Sequence, residues 1–405
     1  MLQDRIYELK GKVQHYAWGG YDYIPHWLQM QNSNPPLPYA EYWMGAHPSA
    51  PSLLRANSDV IELNYLIKQL PEVALGKETW NRFGELPYLF KILDVKEMLS
   101  IQVHPSKIEA EKGFDAEEAA GIPINAANRN YKDRNHKPEV MVALSEFWLL
   151  HGFLQPEALK KVLNSVPAFS SLAPLFEKEG YKALYQHVME LPQQQVNLML
   201  LPLVLAERQK FKAGQLTKHQ PGWWVAKLYE GQEFIGDIDR GVFSIYFFNI
   251  VEVQPGGAVF QGAGVPHAYL EGQNVELMAN SDNVLRGGLT PKHVDVPELL
   301  KHTTFEGITP VIMQGDDTGK GERVYNCPVP DFGISKIQLP AGQSLRHIST
   351  SLEIIVVIEG TLRLAGRGIV TIGKGGAVAI LAAEAYELQA LEPVLAYRAF
   401  VPRLN

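Results

Sequence analysis

Leu99-Ser-Ile-Gln-Val-His-Pro105 is the stretch on which the reading of this chain turns. Side chains alternate across an extended strand, so Ser100, Gln102 and His104 face one way and Leu99, Ile101 and Val103 the other. A hydroxyl, an amide and an imidazole in a row, backed by an apolar face, suit the lining of a small barrel. The apolar segment 87–95 precedes it, and Lys96-Glu97 between them reads as a hairpin turn. A second fragment, Asn135-His-Lys-Pro-Glu-Val-Met-Val-Ala-Leu144, has the same build, with Glu139 and Met141 on one face. A third, Gly262-Ala-Gly-Val-Pro-His-Ala-Tyr269, puts His267 just after a Gly/Pro turn. Gln102, His104, Glu139 and His267 are therefore expected to converge on one metal ion. A lone histidine is more often a hydrogen-bonded surface or core group, and an amide oxygen is a weak ligand. It is the combination that points to a metal.

Composition narrows the class. At 405 residues, two or three domains are expected. Apolar content of 46% with 20% charged residues is that of an ordinary soluble globular protein. A net charge of −7 gives no basic surface for nucleic acid or anionic membrane. Cys327 is the single cysteine, which excludes an intrachain disulfide and leaves only nitrogen and oxygen ligands for a zinc site. The first ten residues lack the apolar core of a signal peptide, and no 18-residue apolar run occurs, so a cytoplasmic location is expected.

Residues 1–60, rich in Trp, Tyr, Pro and Gly, read as short strands and tight turns. A helix around Leu66–Leu70 breaks at Pro71, and another begins with Ser106 at its N-cap. The segment 115–134 is polar and loop-rich. Helical spacing, as in Leu159, Val162 and Leu163, fills a block at about 152–235, and strand character resumes at 242–253. A helical block with strands and ligands on both sides reads as an insertion into a β domain. The last hundred residues form another β unit in which Gly256-Gly-Ala-Val259 recurs as Gly375-Gly-Ala-Val378. Where the first copy has Pro266-His267, the second has Ala382-Ala-Glu-Ala-Tyr386, so the second unit is expected to lack the metal.

The runs LSIQVHP, YKDRNHKPE, GVPHAY and SDNVLRGGLTPK, with YAWG and EYWMGAHPSAPS, closely resemble the type I mannose-6-phosphate isomerases, in that order and over essentially the whole chain. The resemblance implies zinc, one ion per chain, on Gln102, His104, Glu139 and His267; nitrogen and oxygen ligands alone would also suit manganese or cobalt. It implies a mainly β fold with a helical insertion: two jelly-roll (cupin-like) domains plus an all-helical domain. The expected boundaries are 1–151 and 241–305 for the metal-bearing cupin, 152–240 for the helical domain, and 306–405 for a cupin-like domain without metal.

Isomerisation of an aldose to a ketose moves a proton between C1 and C2 through an enediol. It needs a base, a stabiliser for charge developing on oxygen, and an anchor for the phosphate. The resemblance assigns Arg286 as catalytic, and Ser100, Lys91 and Lys292 to the phosphate. Gly287-Gly288 is read as letting backbone approach a ligand. Glu276, Asp282, His136 and Lys137 are all chemically admissible as the base, with Glu276 preferred and Asp282 second. Tyr269 would orient substrate or pack the rim. The expected partner is a small sugar phosphate, the expected state a monomer. Two other classes compete. An iron oxygenase has no use for Gln102 as a fourth ligand or for the cations, and would stop without oxygen. A non-catalytic sugar-phosphate binder would bind mannose 6-phosphate and form no fructose 6-phosphate.

Overall fold

The computed structural model describes residues 4–56 and 59–403; the leader-free reading of the N-terminus also covers residues 1–3, which lie outside that range. The organising element is the long strand His267–Ala279. Its first half pairs with Phe147–Phe153 and Gln102–Val103, its second half with Tyr88–Val95 and Glu139–Ala143. One strand thus belongs to two sheets. It bends at Gly272, whose φ of +122° favours glycine and where a Cβ would lie 2.6 Å from the Glu146 carbonyl. Leu93, Met141, Phe147, Leu149, Val251, Val259 and Tyr269 fill the space between the two sheets.

Each outer face packs against a different neighbour. Tyr42, Phe90, Ile92, Val140, Val275 and Leu277 meet Ile354, Val356, Tyr397 and Ala399 of the C-terminal sheet. On the opposite side Ile101, Val103, Leu150, Phe153 and Leu270 meet the helices. The alternation expected of the opening stretch is therefore real at Ile101 and Val103, which are buried, whereas Leu99 packs with the intersheet cluster.

Three expectations change. The 87–95 segment and Gln102–Val103 are not a hairpin: Lys96 and Glu97 donate to the Trp18 carbonyl, and Gln102–Val103 pairs with His267 and with Leu285–Arg286. The segment 242–247 is helical, as part of Gly241–Phe247, and the strand starts at Phe248. All seven residues of that helix are buried. A short apolar run with no polar face carries no period, so strand and helix look alike in sequence. The helix capped by Ser106 runs on to Ala119 and takes in part of the segment read as loop.

The helical block comprises Pro156–Ser165, Ala173–Glu190, Gln193–Lys212, Pro221–Leu228 and Gly241–Phe247, with a 3₁₀ turn at Pro167–Leu172. It leaves the sheet after Phe153 and re-enters at Phe248, which pair with each other. In the C-terminal unit a nine-stranded sheet faces a four-stranded one across Ile337, Ile355, Leu364 and Val378. The larger sheet includes the N-terminal strand Ile6–Lys10, paired with Ala377–Ile380, so the start of the chain is built into its end.

Phe153 shows how the block is held. It is fully buried, and its ring meets Tyr181, Tyr185, Phe248 and Phe305 at centroid distances of 4.8–6.0 Å. Phe153→Ala is expected to cost about 3–5 kcal/mol, the range for emptying a buried aromatic site. The midpoint of urea unfolding checks it.

Candidate metal centre

His267, Gln102 and Arg286 lie side by side across three paired strands. Paired residues share a face, so all three project to the same side. His104 and Glu139 complete the group: one ligand atom from each of His104, Glu139 and His267 lies within 4.8 Å of the others, and all three residues are buried.

Both imidazoles are oriented from behind. His104 Nδ1 is 2.9 Å from the Asn283 carbonyl, and His267 Nδ1 is 2.8 Å from that of Val265. A carbonyl only accepts, so each Nδ1 carries the proton and each Nε2 presents a lone pair. Both Nε2 atoms are buried without a hydrogen-bond partner. Glu139 approaches them at 3.5 Å from His104 and 3.3 Å from His267. Those separations exceed a hydrogen bond. They match the roughly 3.3–3.4 Å between ligands set tetrahedrally at roughly 2.0–2.1 Å from one zinc ion. A buried lone pair without a donor is costly, and a cation between the three satisfies all of them. The residues fit a metal.

The protonation states agree. Burial holds the His104 imidazole down at about 4, so it stays neutral. Burial pushes the Glu139 carboxyl up, but the Lys137 charge opposes that and the carboxyl is held well below the usual carboxylate range. Lys137 Nζ lies 3.2 Å from Glu139. Gln102 is half-buried on the shared face.

Beside the metal group lies a buried ion cluster. Lys91 Nζ is 2.9 Å from Glu276 and 3.7 Å from Glu41, and sits over the Trp43 ring. Burial lowers the lysine, but the carboxylates outweigh it and raise it overall. Burial raises the Glu276 carboxyl, Lys91 opposes, and Glu139 and Glu41 add to the rise. Lys91 is thus no solvent-facing edge charge: its strand is central, and its positive charge is met by two carboxylates rather than left open to a phosphate.

The other expected residues are more dispersed. Arg286 is half-buried and its side chain makes no hydrogen bond or ion pair among the described residues; burial lowers its pKa. Tyr269 is fully inside the intersheet core, its hydroxyl buried near Glu276, so it is not a rim residue. Asp282 faces His47 at 3.3 Å, which lowers its carboxyl, and His136 Nε2 lies 3.1 Å from Asp331 of the C-terminal unit. Both line a cleft of about 850 Å³ with His47, Lys107, Lys132 and Arg134. Ser100 is half-buried beside the metal strand, and Lys292 is exposed on the loop past Arg286. Gly287 and Gly288 pack on protein rather than open to a ligand: a Cβ would lie 2.9 Å from Tyr185 Oη and 2.6 Å from Gly241 N. Sequence reading missed Glu41, His47 and Asn283, although the first two stand in the quoted EYWMGAHPSAPS run.

The C-terminal unit repeats the frame around a built-in cation. Gly256 and Gly375 make the same turn: Gly256 N donates to Ala143 O and Ala143 N to Gly257 O, as Gly375 N does to Val357 O and Val357 N to Gly376 O. Seven residues past Gly257 and Gly376, Gly264 and Ala383 both have positive φ, and their N–H groups bond the carbonyls of His104 and Ser349. Carried along the strand registers, Glu139 corresponds to Glu353, Glu41 to Glu322, Glu276 to Arg398, Gln102 to His347 and His267 to Tyr386. Arg398 is 2.9 Å from Glu322 and 3.2 Å from Glu353, so a guanidinium compensates the carboxylates there.

A sheet-enclosed cluster of two oriented imidazoles and a carboxylate, with an arginine on the same face as His267, defines a β protein with a candidate metal centre. The family model of the type I phosphomannose isomerase catalytic domain matches residues 6–156. The Escherichia coli K12 mannose-6-phosphate isomerase is 36% identical over 368 residues, covering 88% of this chain and 90% of that protein. The human one is 34% identical, covering 98% and 99%. The crystal structure of the Salmonella typhimurium enzyme bound to fructose 6-phosphate and zinc aligns at a TM-score of 0.87 with 34% identity, over 98% of this chain and all of that one. The chain belongs to the type I mannose-6-phosphate isomerase family.

The metal-free protein should lose stability in acid. His104 and His151 are both held at about 4 by burial, against an ordinary value of 6.5. The unfolded chain takes up those protons first, so stability is full above about 6.5 and falls as pH drops toward about 4. Urea midpoints across that window should show the decline, and His151→Asn should make it shallower.

Proposed function

We propose that this chain interconverts mannose 6-phosphate and fructose 6-phosphate, with one zinc ion held by Gln102, His104, Glu139 and His267. The observation that carries the reading is the pair of buried, partnerless Nε2 atoms facing Glu139, with unpaired Arg286 two strands from His267 on the same face. The organism-spanning relatives named for that activity, and the structural neighbour with zinc and fructose 6-phosphate, support it. Zinc, when bound, supplies Lewis-acid polarisation of the sugar oxygens.

The residues divide the remaining work. Glu276 is the base that carries the proton between C1 and C2: it lies on the strand of His267, close to Glu139, and burial raises its carboxyl above the ordinary value. Lys91 is its counter-ion and limits that rise. Arg286 stabilises negative charge developing on the enediolate oxygens. Lys137 fixes Glu139 in its ionised form. Lys292 and Ser100 receive the phosphate, with the rim cations of the cleft drawing it in. Asp282, paired to His47, and His136, paired to Asp331, shape the mouth rather than take the carbon-bound proton.

In this reading residues up to 151 and 241–305 form a jelly-roll (cupin) domain, 152–240 is an insertion, and 306–405 is a cupin-like domain holding Arg398 in place of a metal. No helix among the described residues is long and apolar enough to cross a membrane. The reaction is placed in the cytoplasm, on a monomer.

Arg286→Ala should lower kcat by about two to four decades, the range for removing a group that acts on transition-state charge. A change confined to KM would make it a phosphate anchor instead. Glu276→Gln should abolish exchange of the substrate C2 proton with deuterated water, followed by NMR. Exchange at the wild-type rate would move the base to Asp282 or Lys137.

A further inference from the structure

Arg286 is followed by a loop whose backbone does not hold itself. Leu289 has a φ of +53°, one of three non-glycine residues with positive φ among those described. A branched apolar side chain is strained there and persists only where its surroundings fix it. On one side a carboxylate fixes it, beside the packing of the Leu289 side chain on the helical core. Asp239 Oδ1 accepts the N–H of Leu289 at 2.7 Å and that of Gly241 at 2.6 Å, while Oδ2 accepts the N–H of Thr290 at 3.0 Å. Asp239 is not part of the metal-bearing sheets. It sits at the end of the helical insertion, two residues before the helix Gly241–Phe247.

The other side of the loop is tied to the metal strand. Gly287 N donates to the Ile101 carbonyl at 2.9 Å, and Ile101 N to that of Gly288 at 3.0 Å. Backbone meets backbone without a gap: a Cβ on Gly288 would lie 2.6 Å from Gly241 N, and one on Gly241 2.7 Å from Leu289 N. The loop is clamped between Asp239 and the strand that carries Gln102. Arg286, one residue before the clamp, is paired to Gln102 and has no side-chain partner of its own to hold it.

We propose that Asp239 is a positioning residue that sets Arg286 for catalysis, and that the helical insertion thereby fixes the geometry of the active site. The proposal rests on the catalytic role given to Arg286 above. Asp239 is not among the metal-ligating residues; it acts through three N–H groups of the two backbone segments it joins.

The test uses zinc-loaded full-length protein in four forms: Asp239→Ala, Asp239→Asn, Arg286→Ala, and the double variant D239A/R286A. Asp239→Ala should lower kcat about 10- to 100-fold, as expected for a displaced catalytic group, with KM within about twofold. Zinc content should be unchanged. Asp239→Asn keeps one acceptor oxygen and should fall between wild type and alanine. The double variant should be no slower than Arg286→Ala alone, because an absent arginine has no position to lose. Trypsin should nick after exposed Lys292 faster in Asp239→Ala. Wild-type kcat and nicking in Asp239→Ala, or effects that multiply in the double variant, would overturn the proposal while leaving Arg286 catalytic. Faster nicking with an Arg286→Ala protein of wild-type kcat would instead overturn the role given to Arg286, and with it the catalytic meaning of the clamp.

Discussion

Two imidazole nitrogens that face a carboxylate with no proton between them set the terms for the rest of the molecule. The backbone carbonyls of Asn283 and Val265 force the lone pairs of His104 and His267 inward, and burial denies them water. A cation compensates that arrangement. The sheets, the bent strand and the glycine at its corner serve to bring His267 beside Gln102 and within reach of Glu139. Main-chain carbonyls orient both imidazoles, and the buried Asn283 side chain in turn holds its own segment through Asp133 and Asn135.

The internal repeat shows the same scaffold solving the same electrostatic problem twice. Both units place two glutamates on corresponding strands, at Glu41 and Glu139 in one and at Glu322 and Glu353 in the other. In the first, a lysine and a metal-ready imidazole pair share the compensation. In the second, a single arginine takes it over, at the position that Glu276 holds in the first. A guanidinium is permanently charged and reaches two carboxylates at once, so it suits a structural site. It cannot move a carbon-bound proton or present an open ligand position. The divergence of the two units is therefore a divergence between fixed and exchangeable charge.

Much of this was legible in the residues. The metal group came from three short runs because ligands on strands alternate with apolar neighbours, and Ile101 and Val103 kept that pattern. The glycine repeat was only four residues long, yet the turn it builds is the same in both units. What stayed hidden was pairing. Lys96-Glu97 looks like a local turn but bonds to Trp18, and no single sequence states that the strand of Lys91 has neighbours on both sides. A lysine inside Tyr-Leu-Phe-Lys-Ile-Leu-Asp-Val was the available sign that it is buried and counter-charged. The 242–247 run was misread for a different reason, since complete burial erases the periodicity that tells helix from strand. Asp239 carried no sequence signal at all, because its partners are main-chain N–H groups, two of them at Leu289 and Thr290, far along the chain.

X-ray absorption at the zinc edge, on protein stripped with chelator and reloaded with one equivalent, tests the central arrangement most directly. The account predicts a single bound ion in an all nitrogen and oxygen shell, with the multiple-scattering pattern of two imidazoles that drops to one in His267→Ala. A spectrum with sulfur in the shell, or one that His267→Ala leaves unchanged, would contradict it.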